Sequence, residues 1–157
     1  MLCAFSGRDA CDCVQREPVL EDTIFQRRVQ AVRAAVNLHQ SEAITPFGIL
    51  RTLGGADLAA MTGFLLGAAA RRLPVVVDGF TAGAAVLAAR ALAPDCLDAV
   101  MASHVDPSRP HAYLLHFLSV EPLVDLQVRE ESGFGAALGL EMLDLALRLF
   151  AEVRSPS

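Results

Sequence analysis

A surplus of positive charge is missing from this sequence: 13 Lys and Arg stand against 18 Asp and Glu, for a net charge of −5. A protein that follows a phosphate backbone needs a basic stripe to displace counterions, so nucleic acid is not an expected partner. Long apolar spans are missing too. The most apolar stretch runs only from Leu58 to Ala70, contains Thr62 and two glycines, and is closed by Arg71 and Arg72. A helix crossing a bilayer needs about 20 apolar residues, so no membrane partner is expected. The opening MLCAFSGRDACDC has no apolar core or cleavage-like site of a secretory signal. Zinc-type spacing is absent: Cys11-Asp12-Cys13 stands without a second pair, and no carboxylate or cysteine completes a ligand set with His104, His111 and His116. No metal is expected, and the cysteines read as free thiols of a reducing, cytoplasmic setting. The G-x-G-x-x-G, G-x-x-x-x-G-K-[ST] and G-x-S-x-G fingerprints are also missing.

What remains is a largely apolar chain, 54% hydrophobic over 157 residues, enough to fill one ordinary core. Residues 1–19 have mixed polarity and no period, and are expected to form an irregular leader. Residues 20–153 carry the regular elements, and 154–157 are a tail. Phe25, Val29, Val32 and Val36 recur at helical spacing behind Asp22, a plausible cap. A short helix is expected over residues 46–53, stopped at Gly54-Gly55. Another is expected over residues 56–72, where Gly63 and Gly67 predict the close approach of a second backbone.

Pro74 to Val77 is a continuous, β-branched run suited to a parallel sheet covered on both faces. An Ala-rich helix over residues 81–93 and a strand over 98–103 complete the dimensions of a right-handed βαβ unit. A helix over residues 107–117 and two extended pieces broken at Pro122 follow. The last helix, over residues 133–153, bears two apolar stripes, one through Leu138, Met142, Leu145 and Leu149, the other through Leu140, Leu143, Leu147 and Phe150. Such a helix needs cover from more than one side.

Ligands in open parallel sheets gather at the carboxyl ends of strands, which nominates Asp78, Gly79, Ser103 and His104. Asp78 either orients a ribose hydroxyl or bonds only to nearby backbone amides. His104 is an acid or base, or a satisfied loop histidine. Glu121, in the apolar context SVEP, is a substrate contact or a hydrogen-bonded core carboxylate. Glu130, Glu131 and Ser132 precede the last helix. They either cap its positive end or aim a base or an anion at its unpartnered amides.

In order along the chain come LRTLGGADLAAMTGFLLGAAARRLPVVVDGF, the ASH of residues 102–104, LSVEP at 118–122 and GAALGLEML at 135–143. Through these motifs residues from about 20 to 153 resemble the C-terminal part of nicotinate-nucleotide:dimethylbenzimidazole phosphoribosyltransferases, which build the lower ligand of cobalamin. The resemblance implies an α/β fold of three layers, with a short, mostly parallel sheet and a helical subdomain, of which this chain would be a part. It also implies a homodimer, or association with a separate N-terminal half. The implied reaction moves the phosphoribosyl group of nicotinate mononucleotide onto the benzimidazole base 5,6-dimethylbenzimidazole, without a cofactor.

A glutamate beside the last helix is the family's general base. Aligned on Arg129 and on the GAAL of residues 135–138, its column falls on Ser132, with Glu131 one residue early. Glu131, Ser132 and Glu121 are therefore the residues nominated for catalysis. Arg28 occupies the column of a phosphate-associated lysine, and Asp78, Gly79, Ser103, His104, Ser119 and Gly133 are nominated for substrate binding. The serine in the glutamate column, with Arg16-Glu17-Pro18-Val19 in place of a glycine-rich segment, also fits a second reading: a non-catalytic homologue acting as a binding or assembly module.

Overall fold

A computed structural model of the chain describes residues 1–16, 21–125 and 132–153. Where an irregular leader was expected, the chain opens with two short helices, α1 (Leu2–Ser6) and α2 (Ala10–Cys13). The reason is local capping. Gly7 ends α1 in the left-handed conformation, and the Asp9 side chain starts α2 by accepting the Cys11 N–H at 2.9 Å. Asp9 also accepts from Arg33 Nη2 at 2.7 Å and Nε at 3.2 Å, so one carboxylate ties α2 to α3 (Asp22–Leu38). Leu2, Cys3, Ala10 and Cys13 are buried and join the main core. Elements of a single turn carry no readable period, which is why composition hid them.

Helix α3 begins with Asp22 as its first residue, Glu21 holding the cap position, and it buries Val29. Helix α4 (Pro46–Leu53) starts where Thr45 Oγ1 accepts the Gly48 N–H at 3.0 Å. Helix α5 (Ala56–Ala70) packs along α6 (Gly79–Leu92). Thr62 helps join them: its hydroxyl donates to the Leu58 carbonyl at 2.7 Å and lies 3.3 Å from that of Ala85. Gly63 and Gly67 do not receive a second backbone. Both are exposed, and a Cβ added to either would meet nothing within 4 Å among the described residues.

The sheet is parallel and three-stranded, in the order β1 (Val75–Val77), β2 (Val100–His104), β3 (Pro122–Val124). Val76 pairs with Met101, and His104 with Val124. A 3-10 helix, Pro94–Ala99, feeds β2 and displaces its start two residues beyond the expected position. Pro122 opens β3 instead of breaking an extended segment; at the first position of a strand its missing N–H costs no ladder bond. Helices α7 (Arg109–Leu118) and α8 (Phe134–Val153) complete the chain. Val77 and Ala102 join α6 in the core on one face, while Val76, Ser103 and Leu123 meet α8 on the other. This is the expected α/β class, with helices above and below a short parallel sheet.

Only Gly135 and Gly139 of α8 are buried. Leu145 is 58% exposed and Leu147 60% exposed, with Leu140 and Leu149 similarly open. The described residues therefore cover one narrow face of a helix whose two stripes require more. No helix among the described residues is long and apolar enough to cross a membrane.

Candidate functional site

Parallel pairing of β1 with β2 places their carboxyl ends side by side. Asp78 follows β1 directly, and Gly79, at φ 74°, turns the chain into α6 through a conformation that other residues adopt at a cost. Ser103 and His104 are the last two residues of β2. The head of α8 closes over them. A Cβ on Gly135 would clash with His104 Nδ1 and stand 2.6 Å from Asp78 Oδ1, and one on Gly139 would be 2.9 Å from Val76 Cγ1. Of the two glycine pairs at that spacing, the one that admits a close neighbour is thus that of α8 and not that of α5.

The cluster is compact and nearly dry. Ser103 is fully buried, and the side chains of His104 and Asp78 are 1% and 9% exposed. Ser103 Oγ donates to Asp78 Oδ1 at 3.2 Å, and His104 Nδ1 lies 3.0 Å from Ser103 Oγ and 3.2 Å from Asp78 Oδ1. With the serine proton committed to the carboxylate, this network places a proton on Nδ1. Asp78 Oδ2 and His104 Nε2 are buried and have no hydrogen-bond partner among the described residues. An unpaired buried polar atom costs about 1–3 kcal/mol, so these two are the points at which a ligand gains most by bonding. Asp78 also lies against the first turn of α8, whose amides lack partners within the helix and favour negative charge.

This is not a hydrolytic triad. There the base bridges nucleophile and carboxylate through opposite ring nitrogens, whereas here Ser103 and Asp78 share Nδ1. Five cavities among the described residues are lined without Asp78, Ser103 or His104. The first turn of α8 seals the cluster.

Of the residues nominated from sequence, Asp78, Gly79, Ser103 and His104 come together. Gly133 and Ser132 lie exposed at the approach to α8. The Gly133 carbonyl accepts the Ala137 N–H at 2.9 Å, so Gly133, at φ 87°, holds the cap position and Ser132 stands one residue before it. Glu130 and Glu131 lie outside the described residues. Glu121 is exposed at the entering end of β3, roughly 10 Å of strand from the carboxyl edge, and is not the core carboxylate its context suggested. Ser119 caps α7 in the left-handed conformation, its N–H donating to the His116 carbonyl at 3.0 Å. Arg28 is exposed on α3, which packs chiefly on α2.

Sequence reasoning passed over a second buried polar pair beside the cluster. His111 Nδ1 accepts the Asp106 N–H at 2.9 Å, Asp106 Oδ1 accepts the Ser108 N–H at 2.6 Å, and the His111 ring lies edge-on to His104 at 6.3 Å. The Asp-Pro-Ser run was the available signal, since an Asp two residues before a helix entry favours such a turn.

A family model described as a phosphoribosyltransferase matches residues 1–157. A protein of Chlorobium chlorochromatii (strain CaD3) named nicotinate-nucleotide--dimethylbenzimidazole phosphoribosyltransferase is 37% identical over 134 residues, 85% of this chain and 38% of that protein. The like-named protein of Salinispora tropica is 37% identical over 153 residues, 98% of this chain and 42% of that protein. The crystal structure of CobT from Thermus thermophilus matches with a TM-score of 0.84 at 31% identity, over 94% of this chain and 44% of that one. The chain spans about two fifths of the length of these curated relatives.

Proposed function

Because this chain belongs to the phosphoribosyltransferase family, we propose that it forms one part of an enzyme that transfers phosphoribosyl from nicotinate mononucleotide to 5,6-dimethylbenzimidazole. The product is α-ribazole phosphate, a step of cobalamin assembly in the cytoplasm. The observation that carries this reading is the meeting of the head of α8 with the carboxyl ends of β1 and β2 at Asp78, Ser103 and His104. That is where parallel sheets hold ligands, and Asp78 Oδ2 and His104 Nε2 are buried there without a hydrogen-bond partner among the described residues, so a ligand reaches them only where the first turn of α8 moves aside.

The chemistry asks little of the protein. The pyridinium of nicotinate mononucleotide already draws electrons from C1′, so the site must hold two planar rings across the ribose and accept one proton from the incoming base. Glu131, which precedes Ser132 in the sequence, is the proton acceptor in this reading. Ser132 and Gly133 shape that approach, Arg28 supplies phosphate charge, and Glu121 and Ser119 are peripheral contacts. The open apolar face of α8 supports completion by the remaining portion of the family fold, as a separate chain or within a homodimer.

The test is co-expression with the N-terminal portion of a family member, followed by assay of α-ribazole phosphate. Turnover that falls about 10²–10⁴-fold in Glu131→Gln supports the proposal, and no product from a soluble, assembled pair refutes it. Ser132 in the expected glutamate column motivates the second reading, a binding module without chemistry. Calorimetry separates the two: saturable binding of both substrates by an assembled pair that never turns over identifies the module.

A further inference from the structure

Two polar atoms are left over from the bonds among Asp78, Ser103 and His104, and both are acceptors. Asp78 Oδ1 already receives the Ser103 hydroxyl at 3.2 Å and faces His104 Nδ1 at 3.2 Å, which leaves Oδ2. The proton on Nδ1 leaves His104 Nε2 as a bare lone pair. The two side chains are 9% and 1% exposed, so both atoms are shut off from bulk water. We propose that they form a hydroxyl-selective subsite, in which the two adjacent hydroxyls of the substrate's ribose donate to Asp78 Oδ2 and His104 Nε2. The identity of that ligand rests on the transfer reading above.

The other parts of the substrates compete poorly for two acceptors. The carboxylate of nicotinate has no proton to donate, and its ring nitrogen is substituted. The phosphate is mostly stripped of protons above its second pKa of about 6. The incoming base has a single N–H, whose proton the reaction removes. Only the ribose presents two neighbouring donors. Electrostatics select the same group. Asp78 already sets a negative charge against the first turn of α8, so the positive end of that helix is taken. A phosphate placed there would meet Asp78 as a like charge in a dry site, where repulsion is little screened. Hydroxyls are neutral, and each one satisfies a buried acceptor.

Entry requires room above the pair, and the seating of α8 can supply it. Gly135 lies against Asp78 and His104 without a side chain, so backbone alone closes the subsite. Gly135 and Gly139 are the buried residues of α8 among those described, while Leu140, Leu145 and Leu149 stand open. A helix end held by so few buried contacts belongs to the elements that open at low cost. Displacing the first turn uncovers Oδ2 and Nε2 to a ligand at the carboxyl edge of the sheet. Ser103, bonded to both partners, keeps the carboxylate and the imidazole in place meanwhile.

Calorimetry on the whole chain, alone and assembled with a family N-terminal portion, tests this with nicotinate mononucleotide and its 2′-deoxy and 3′-deoxy analogues. Each analogue should bind at least about tenfold more weakly, because it strands one buried acceptor. Asp78→Asn keeps an oxygen for Ser103 and puts an amide donor at the Oδ2 position, so it should narrow one of the two ratios. Long-range proton–nitrogen spectra of protein carrying isotope-labelled histidine add a readout separate from affinity. His104 should carry its proton on Nδ1, and its Nε2 resonance should move with the nucleotide and not with nicotinate alone. Either deoxy analogue binding as tightly as the nucleotide, no nucleotide binding in either form, a proton on Nε2 of the free protein, or an Nε2 resonance moved by nicotinate alone overturns the proposal. The wild-type series decides the matter where the variant fails to fold. Turnover without discrimination between the analogues removes the subsite and leaves the transfer reading standing, whereas discrimination by a pair that never forms product does the reverse.

Discussion

Gly135→Ala puts one methyl group where the candidate site is closed. In an open helix this change is favourable by up to about 1 kcal/mol, since alanine restricts the unfolded chain and glycine does not. Here the new carbon would clash with His104 Nδ1 and stand 2.6 Å from Asp78 Oδ1 and 2.7 Å from His104 Cε1. The distances are well inside van der Waals contact, and the neighbours are buried side chains bonded to Ser103, not flexible tips. Either α8 lifts from the sheet or the Asp78–Ser103–His104 bonds stretch. Overpacking of this kind costs about 1–3 kcal/mol, and each bond lost adds about 1 kcal/mol. The methyl's penalty therefore exceeds its propensity gain, and net destabilisation of about 1–3 kcal/mol is expected. For a chain of this size the melting temperature falls by roughly 2–4 °C for each kcal/mol. Urea unfolding followed by circular dichroism measures it, with Gly63→Ala as the matched control. A Cβ at Gly63 meets nothing within 4 Å among the described residues, so that variant should gain up to about 1 kcal/mol. Gly135→Ala as stable as the wild type, alongside a stabilised Gly63→Ala, would refute the account of how α8 seats on the sheet.

Other expectations follow from single contacts. Leu114 is fully buried and fills the space over Gly83, so Leu114→Ala should lower unfolding free energy by about 2–5 kcal/mol in the same urea assay. Hydrogen bonding to Arg33 and to the Cys11 amide holds the Asp9 carboxyl below its usual range. Its contribution is therefore present above the unfolded carboxyl pKa of about 4 and lost as pH falls through the lower folded value. Asp9→Asn keeps a capping oxygen but loses the charge, so its urea midpoint should trail the wild type at neutral pH and converge with it in strong acid. On α8, Leu145→Glu with Leu149→Glu should raise the monomer fraction of the isolated chain in sedimentation and block its assembly with a supplied N-terminal portion. A wild-type chain that sediments as a compact monomer would contradict the need for further cover.

Local signals were enough to determine much of this protein. The bounds of α4 follow from Thr45-Pro46 and the paired glycines, β1 from its β-branched run, and α8 from its period, because caps and periods act within a few residues of themselves. The ordered motifs likewise carried the resemblance to the family without coordinates. Contacts across long sequence separations were another matter. The Gly63/Gly67 and Gly135/Gly139 pairs share the same spacing, yet among the described residues only the second admits a neighbour, because α8 crosses the sheet while nothing described packs on that face of α5. Asp78 reaches Ser103 and His104 only because β1 and β2 pair in parallel at the register Val76 to Met101. Strand pairing and helix docking depend on which distant surfaces meet, and no short window of sequence carries that choice.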